Sequence, residues 1–266
     1  MGRAEALDRV AFAAWPAEEA VALGEWRLRF MHGVSRRGNS VWPGAAERHD
    51  AAPLLARVED VEGWYAARGV PAMFQLDPAR HPELDAFLAA RGYAIDAPVS
   101  VQVADARNVL GADTTRRGAP GAAPSNVTSN AVSATVSRVL TDAWLEISAR
   151  RGRFARMEAT YRKLLDRIGE RARYALVEID GRPAAVGMGV IDGPWLGVFS
   201  MLTVPEARRR GGARTALAGL AAEALSCGVP ELYLLVERDN APARELYDRA
   251  SFRELGGYHY RVAPPR

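Results

Sequence analysis

Two Asp-Gly pairs, Asp180-Gly181 and Asp192-Gly193, each separate two runs of apolar residues, and together they commit this stretch to antiparallel β-structure. Asp-Gly suits a two-residue hairpin turn because both turn positions need a positive φ, which Gly adopts freely and Asp tolerates. The spacing predicts strands over 174–179, 184–191 and 195–204, a three-stranded meander. Helical spacing follows over 213–226 and stops at Gly228 and Pro230. A buried strand at 232–236, a helix at 242–250 and a last strand at 258–262 complete the order. A meander followed by a βαβ unit and a closing strand is an α/β arrangement with a mixed sheet.

The earlier half also reads as α/β. Residues 25–30 alternate like a half-buried strand, and 51–68 carries Leu54, Leu55, Val58, Val61 and Trp64 at helical spacing. A short strand at 73–76, a helix at 83–90 and a strand at 99–103 follow, with Arg91-Gly92-Tyr93 joining the last two. Helices are expected over 132–148 and 157–168. Between the halves, 105–130 is dominated by Gly, Ala, Pro, Ser, Thr and Asn with no bulky apolar period, as in a linker. The expected domains are therefore 1–104 and 131–266, joined by 105–130.

Composition narrows the partners. With 266 residues the chain has room for two cores. Its 35 Lys and Arg against 32 Asp and Glu leave a net charge of +3, and the two signs are interspersed, so no nucleic-acid-binding face is expected. No apolar run reaches the ~18 residues of a membrane span, and Met1-Gly2-Arg3-Ala4-Glu5 lacks the apolar core of a secretory signal. A cytoplasmic protein with no membrane partner, monomeric or homodimeric, is the expectation. The lone Cys227 has no internal partner and is expected in the core. His32, His49, His81 and His259 lack metal-ligand spacing, so no metal is expected.

The chemistry sits where the third meander strand meets the next helix, at Arg208, Arg209, Arg210, Gly211, Gly212, Ala213, Arg214 and Thr215. A helix N-terminus presents unpaired N–H groups and a positive dipole end, and small residues let a phosphate approach that backbone. Neighbouring arginines add charge-assisted bonds. A P-loop is excluded because Arg214 stands where it needs Lys, although Thr215 fits. The dinucleotide fingerprint fails for want of its second and third glycines.

Arg208, Gly211 and Ala213 do fit Arg-x-x-Gly-x-Gly/Ala. With the preceding Leu202-x-Val204-Pro205, and with Asn240, Ala243, Leu246 and Tyr247 in an Asn-x-x-Ala-x-x-Leu-Tyr segment, the stretch 132–262 resembles the GNAT superfamily of N-acetyltransferases. One departure is Ser251-Phe252, where that family commonly has Gly-Phe. The helix at 84–90 and Arg91-Gly92-Tyr93 resemble the end of a second such unit, implying a tandem arrangement with a degenerate GNAT-like N-terminal domain.

The resemblance implies acetyl-CoA as co-substrate and a primary amine, of a small molecule, as acceptor. It places the CoA pyrophosphate at Arg209, Arg210, Gly211, Gly212, Ala213, Arg214 and Thr215. The thioester arm falls at Leu202, Thr203 and Val204, and the pantetheine at Asn240 and Ala243. Tyr247 becomes the general acid. Offsets of three and seven put Asn240, Ala243 and Tyr247 on one helical face, with Leu246 turned to the sheet. Glu237, at the C-terminal end of the buried strand where ligands meet open α/β sheets, is the candidate base, with a water-mediated base as the alternative. Arg150, Arg151, Arg153 and Arg156 suggest an acidic or phosphorylated acceptor. A non-catalytic acyl-CoA sensor would keep the phosphate turn but have no use for a positioned Tyr247.

Overall fold

The computed structural model describes residues 2–44, 51–117, 132–152 and 154–265. Its contacts divide the chain into two compact units: Met1–Val101 with Glu237–Asp239 and Gly256–Arg266, and Gln102–Val236 with Asn240–Leu255.

In the first unit, helix α1 (Arg3–Ala13) precedes a hairpin of β1 (Glu19–Leu23) and β2 (Trp26–Phe30). Helix α2 (Ala51–Ala66), β3 (Met73–Leu76), α3 (Pro82–Ala90) and β4 (Ala94–Asp105) follow. The helical spacing read at 51–68 is what builds the core: Val58, Val61 and Tyr65 of α2 pack with Trp26, Phe74 and Leu84. Neither α1 nor β1 is foreshadowed by the sequence reading, whose first expected element begins at 25.

The second unit starts with α4 (Ala106–Arg117), in a segment expected to be linker. Asp105 explains the start, its Oδ1 accepting the Arg107 N–H at 2.7 Å, and the Ala106 N–H donates to the Pro230 carbonyl at 2.8 Å. The linker expectation over 118–130 lies outside the described residues.

The helix expected over 132–148 is a strand first. β5 (Val132–Ser137) alternates with period two and pairs antiparallel with β6 (Ala172–Ile179) along its whole length. A short helix α5 (Asp142–Leu145), capped by Thr141 Oγ1 on the Trp144 N–H, then widens into a π-helical turn over Glu146–Arg150. Helix α6 (Glu158–Ile168) leads into β6, β7 (Arg182–Asp192) and β8 (Trp195–Thr203). Asp180 and Gly181 have φ of 54° and 71°, as an Asp-Gly hairpin turn needs. The antiparallel array is therefore four strands, β5-β6-β7-β8, rather than three.

Helix α7 (Gly212–Ser226) carries the chain to β9 (Glu231–Glu237), parallel to β8. Leu217, Leu220, Ala221 and Ala224 form the buried face of α7. Helix α8 (Ala241–Arg249) and β10 (Arg253–Val262) close the chain. From Gly256 onward β10 belongs to the first unit, pairing antiparallel with β3. Asp85 fixes it there: its Oδ1 takes His259 Nε2 and Arg261 Nε at 2.7 Å each, and its Oδ2 takes Arg261 Nη2 at 3.0 Å. These bonds, the Arg261 one foremost, hold the Asp85 carboxyl below its ordinary range. The contacts thus divide the chain elsewhere than at the expected 104 and 131.

Cys227 is exposed rather than in the core. The chain leaves α7 at Ser226, and the Cys227 sulfur turns towards Arg173 and Glu223 at 3.9 and 3.7 Å. No described helix is long and apolar enough to cross a membrane, and no described group of three or more His, Cys, Asp or Glu could hold a metal ion.

Candidate active site

The N-terminus of α7 is held open by its own sequence. Gly211 takes the cap position with φ +89°, which its missing Cβ permits, and it brings no side chain to cap the helix. The first helical hydrogen bond runs from the Thr215 N–H to the Gly211 carbonyl, 2.9 Å. The N–H groups of Gly212 and Ala213 precede that bond and lie in the first turn, where a helix offers donors to a ligand. Gly212 also lets the helix start against the sheet, since a Cβ there would stand 3.0 Å from that of Ala185.

This terminus opens into a cleft of about 660 Å³. Of the residues expected to hold a cofactor, Thr203, Arg209, Arg210, Gly211, Gly212, Ala213 and Arg214 line it together. Arg208 and Arg249 add to its rim, giving five arginines against one carboxylate, Glu245. Glu245 is itself ion-paired with Arg249, and Arg210 reaches Asp180 Oδ2 at 2.6 Å. The rim is suited to a ligand carrying several negative charges.

Thr215 is not part of that lining: its side chain is buried and its N–H is spent on the helix. The helix α8 shows a different face from the expected one. Pro242, Glu245, Leu246, Arg249 and Ala250 face the cleft, at helical spacing, while Asn240, Ala243 and Tyr247 do not line it. Leu246, expected against the sheet, is thus on the cleft side. The cause is packing: Tyr247 is the buried member, 7% exposed, with its ring edge-on to Phe252 at 5.8 Å. Asn240 caps α8, its Oδ1 accepting the Ala243 N–H at 3.3 Å. Burial raises the Tyr247 phenol to about 12.

Beside this helix end the sheet parts. Parallel pairing of β8 with β9 runs from Trp195↔Glu231 to Val198↔Leu234 and stops, although β8 continues to Thr203. The register of β8 against β7 shifts at the same level, where Ser200 takes φ 51° and its hydroxyl meets that of Tyr161 at 2.8 Å. A bulge of this kind re-aims the strand and ends pairing on one edge. The Val204 N–H donates to Ala184 at 2.9 Å, so it is committed to β7. Alternation along the ladder commits Leu202 likewise and turns the Thr203 N–H and C=O to the edge that β9 has left.

Glu237 falls in the first unit, half-exposed, with Oε1 at 3.3 Å from Arg36 Nη1; Arg36 also holds Asp96 at 2.6 Å. Because the carboxylate is engaged as a clamp, Glu237→Gln is expected to leave the pH–rate profile in place. Loss of the acidic limb in that variant would restore Glu237 as proton acceptor. Arg150 is likewise spent, on Glu158 and Glu146, and Arg151 on Glu206 at 2.5 Å. Arg153 lies outside the described residues, and Arg156 is exposed. Two of the four charges behind the expected acidic acceptor, Arg150 and Arg151, are thus ion-paired.

Val109 and Ala112 of α4, and Leu217 of α7, line the same cleft. The first two lie in a segment whose composition is that of a linker; the Asp105 cap and the three-residue spacing of Val109 and Ala112 are the signal that marks them.

A bulged strand ending in an arginine-rich turn and an uncapped helix start on a mixed sheet form a site suited to a phosphate-bearing ligand. Residues 141–252 match the Acetyltransferase (GNAT) family and form a GNAT acetyltransferase domain. Over 261 residues, 96% of this chain and 97% of the other, the sequence is 26% identical to a Bacillus subtilis protein named "Uncharacterized N-acetyltransferase YobR". Among solved structures, a GCN5-related N-acetyltransferase from Kribbella flavida shares the fold with a TM-score of 0.69 at 16% identity, over 99% of this chain and 95% of its own. A tandem GNAT protein from the clavulanic acid biosynthesis pathway does so at 0.58 and 15%, over 82% and 72%. Enzymes of this fold use acetyl-CoA, and the match over 141–252 together with the similarity to a protein named as an N-acetyltransferase supports acetyl-CoA-dependent N-acetyl transfer by that domain.

Proposed function

We propose that the protein moves an acetyl group from acetyl-CoA to a primary amine of a small molecule, with the CoA pyrophosphate seated on the N-terminus of α7. The observation that carries this is the uncapped start of α7 at Gly211 and Gly212 opening into an arginine-lined cleft. Gly212, Ala213 and Arg214 would donate from the backbone, and Arg208 and Arg209 would supply charge at the rim. Thr203, with its N–H turned to the gap beside β8, would hold the thioester arm in β-like fashion.

In the reaction the neutral amine attacks the thioester carbonyl carbon, a C–N bond forms and the C–S bond breaks. The amine gives up one proton and the departing sulfur gains one. The Thr203 N–H is the backbone donor placed to bind oxygen charge as it develops. Tyr247 would serve the sulfur: burial keeps its phenol protonated at neutral pH. The amine proton passes to water in this scheme, since Glu237 is clamped to Arg36. The first unit, with its β3-β10-β4 order and its helix-turn-strand at 82–105, supports reading it as a degenerate GNAT-like partner.

The test is release of free CoA thiol from acetyl-CoA across a panel of small primary amines, beside calorimetric binding of CoA. Turnover with at least one amine class is the expected result. Binding of CoA with no turnover on any of them would make the protein a sensor instead.

A further inference from the structure

The cleft has more apolar wall than a pyrophosphate can use. Besides the arginines, Val109 and Ala112 of α4 and Leu246 and Ala250 of α8 line it, with the fully buried Leu217 of α7 behind them. Phosphate oxygens gain nothing from such a surface, whereas a flat heterocycle gains by leaving water against it. A volume of about 660 Å³ also exceeds what a diphosphate alone would fill. One ligand with both characters is a nucleotide.

We infer that α4 forms part of the donor site, with Val109 and Ala112 making one wall of the pocket for the adenine nucleotide end of the donor. The inference rests on the proposed function and extends it to an element that precedes the matched 141–252. Helix α4 is fixed for the task. Its start is capped by Asp105, its first N–H is bonded to the Pro230 carbonyl, and it packs along α7, the helix that supplies the anion-binding terminus. Val109 is buried and shapes the wall, while Ala112, half-buried, is the position at which a longer side chain would enter the cleft. The wall would thus favour donors that end in a nucleotide over those that end in phosphopantetheine.

The experiment compares acetyl-CoA with S-acetyl-4′-phosphopantetheine, which lacks the nucleotide, in the full chain and in Ala112→Glu and Ala112→Gln. Ala, Glu and Gln are all good helix formers, so α4 should persist, with circular dichroism as the check. Ala112→Glu sets a carboxylate in the nucleotide pocket, beside the nucleotide phosphates that the truncated donor lacks, and is expected to raise KM for acetyl-CoA by about 10-fold or more. KM for the truncated donor should stay within about twofold, since the variant touches only the nucleotide end. Ala112→Gln, without the charge, should recover part of the loss. An unchanged preference between the donors in Ala112→Glu overturns the role of α4 while leaving CoA binding at α7 intact. A parent protein that binds no CoA at all overturns both.

Discussion

Replacing Tyr247 by Phe is expected to lower kcat by about 100-fold while leaving KM for acetyl-CoA nearly unchanged. The size follows from what the phenol can do. At about 12, it is fully protonated at neutral pH and always able to donate. An alkyl thiol has a pKa near 8.5, so complete transfer of the phenolic proton to the departing thiolate would run uphill by roughly 3.5 pH units, about 5 kcal/mol. A hydrogen bond that strengthens as charge builds on sulfur carries no such penalty. Tyr247 is therefore expected to act as a fixed donor to the leaving group more than as a titrating acid, with the final proton coming from solvent. The variant should then lose rate evenly across the neutral pH range, with no new limb in its profile. Phe keeps the ring edge-on to Phe252, so thermal stability should change little. An unchanged kcat would remove Tyr247 from the reaction, and a collapse in stability would mark it as a packing residue.

What could be read from residues alone follows the range of the forces involved. The Asp180-Gly181 turn, the strands around it and the uncapped start of α7 are local, set by backbone preferences that neighbours do not alter. Residues 132–137 are different, because Val132 and Val136 satisfy alternation and, with Val139 beyond them, helical spacing as well. Pairing with β6 decides the matter, and that is a contact across some 40 residues. The destination of β10 depends on Asp85, far earlier in the chain. In α8 the cleft is lined by Leu246 rather than by Tyr247. Tyr247 and Leu246 are both large and apolar enough to turn inward, and Tyr247 is the one that packs on Phe252. A helix as short of large side chains as α4 carries little periodic signal, although two of its small residues line the cleft.

The second large effect is expected from Gly212→Val. A Cβ at this position would already stand 3.0 Å from the Ala185 Cβ and within 3.8 Å of Thr203 and Ile179, and valine adds two methyl groups to that contact. β7, which carries Ala185, cannot yield easily, being paired with β6 on one side and β8 on the other along most of its length. The helix start must move instead, at an overpacking cost of about 1–3 kcal/mol. A domain of this size tolerates that, so folding should survive with a lowered melting temperature. The N–H groups of Gly212, Ala213 and Arg214 move with the helix. A charged-acceptor hydrogen bond contributes about 1.5–3 kcal/mol, so misplacing two of them should weaken CoA by about 100-fold or more in calorimetry. Gly212→Ala, with one methyl group in place of valine's three carbons, should fall between. The graded series separates geometry from charge, because no formal charge changes in it. If both variants fold and bind CoA as the parent does, the pyrophosphate does not rest on the N-terminus of α7, and the arginine rim must hold the donor in another orientation.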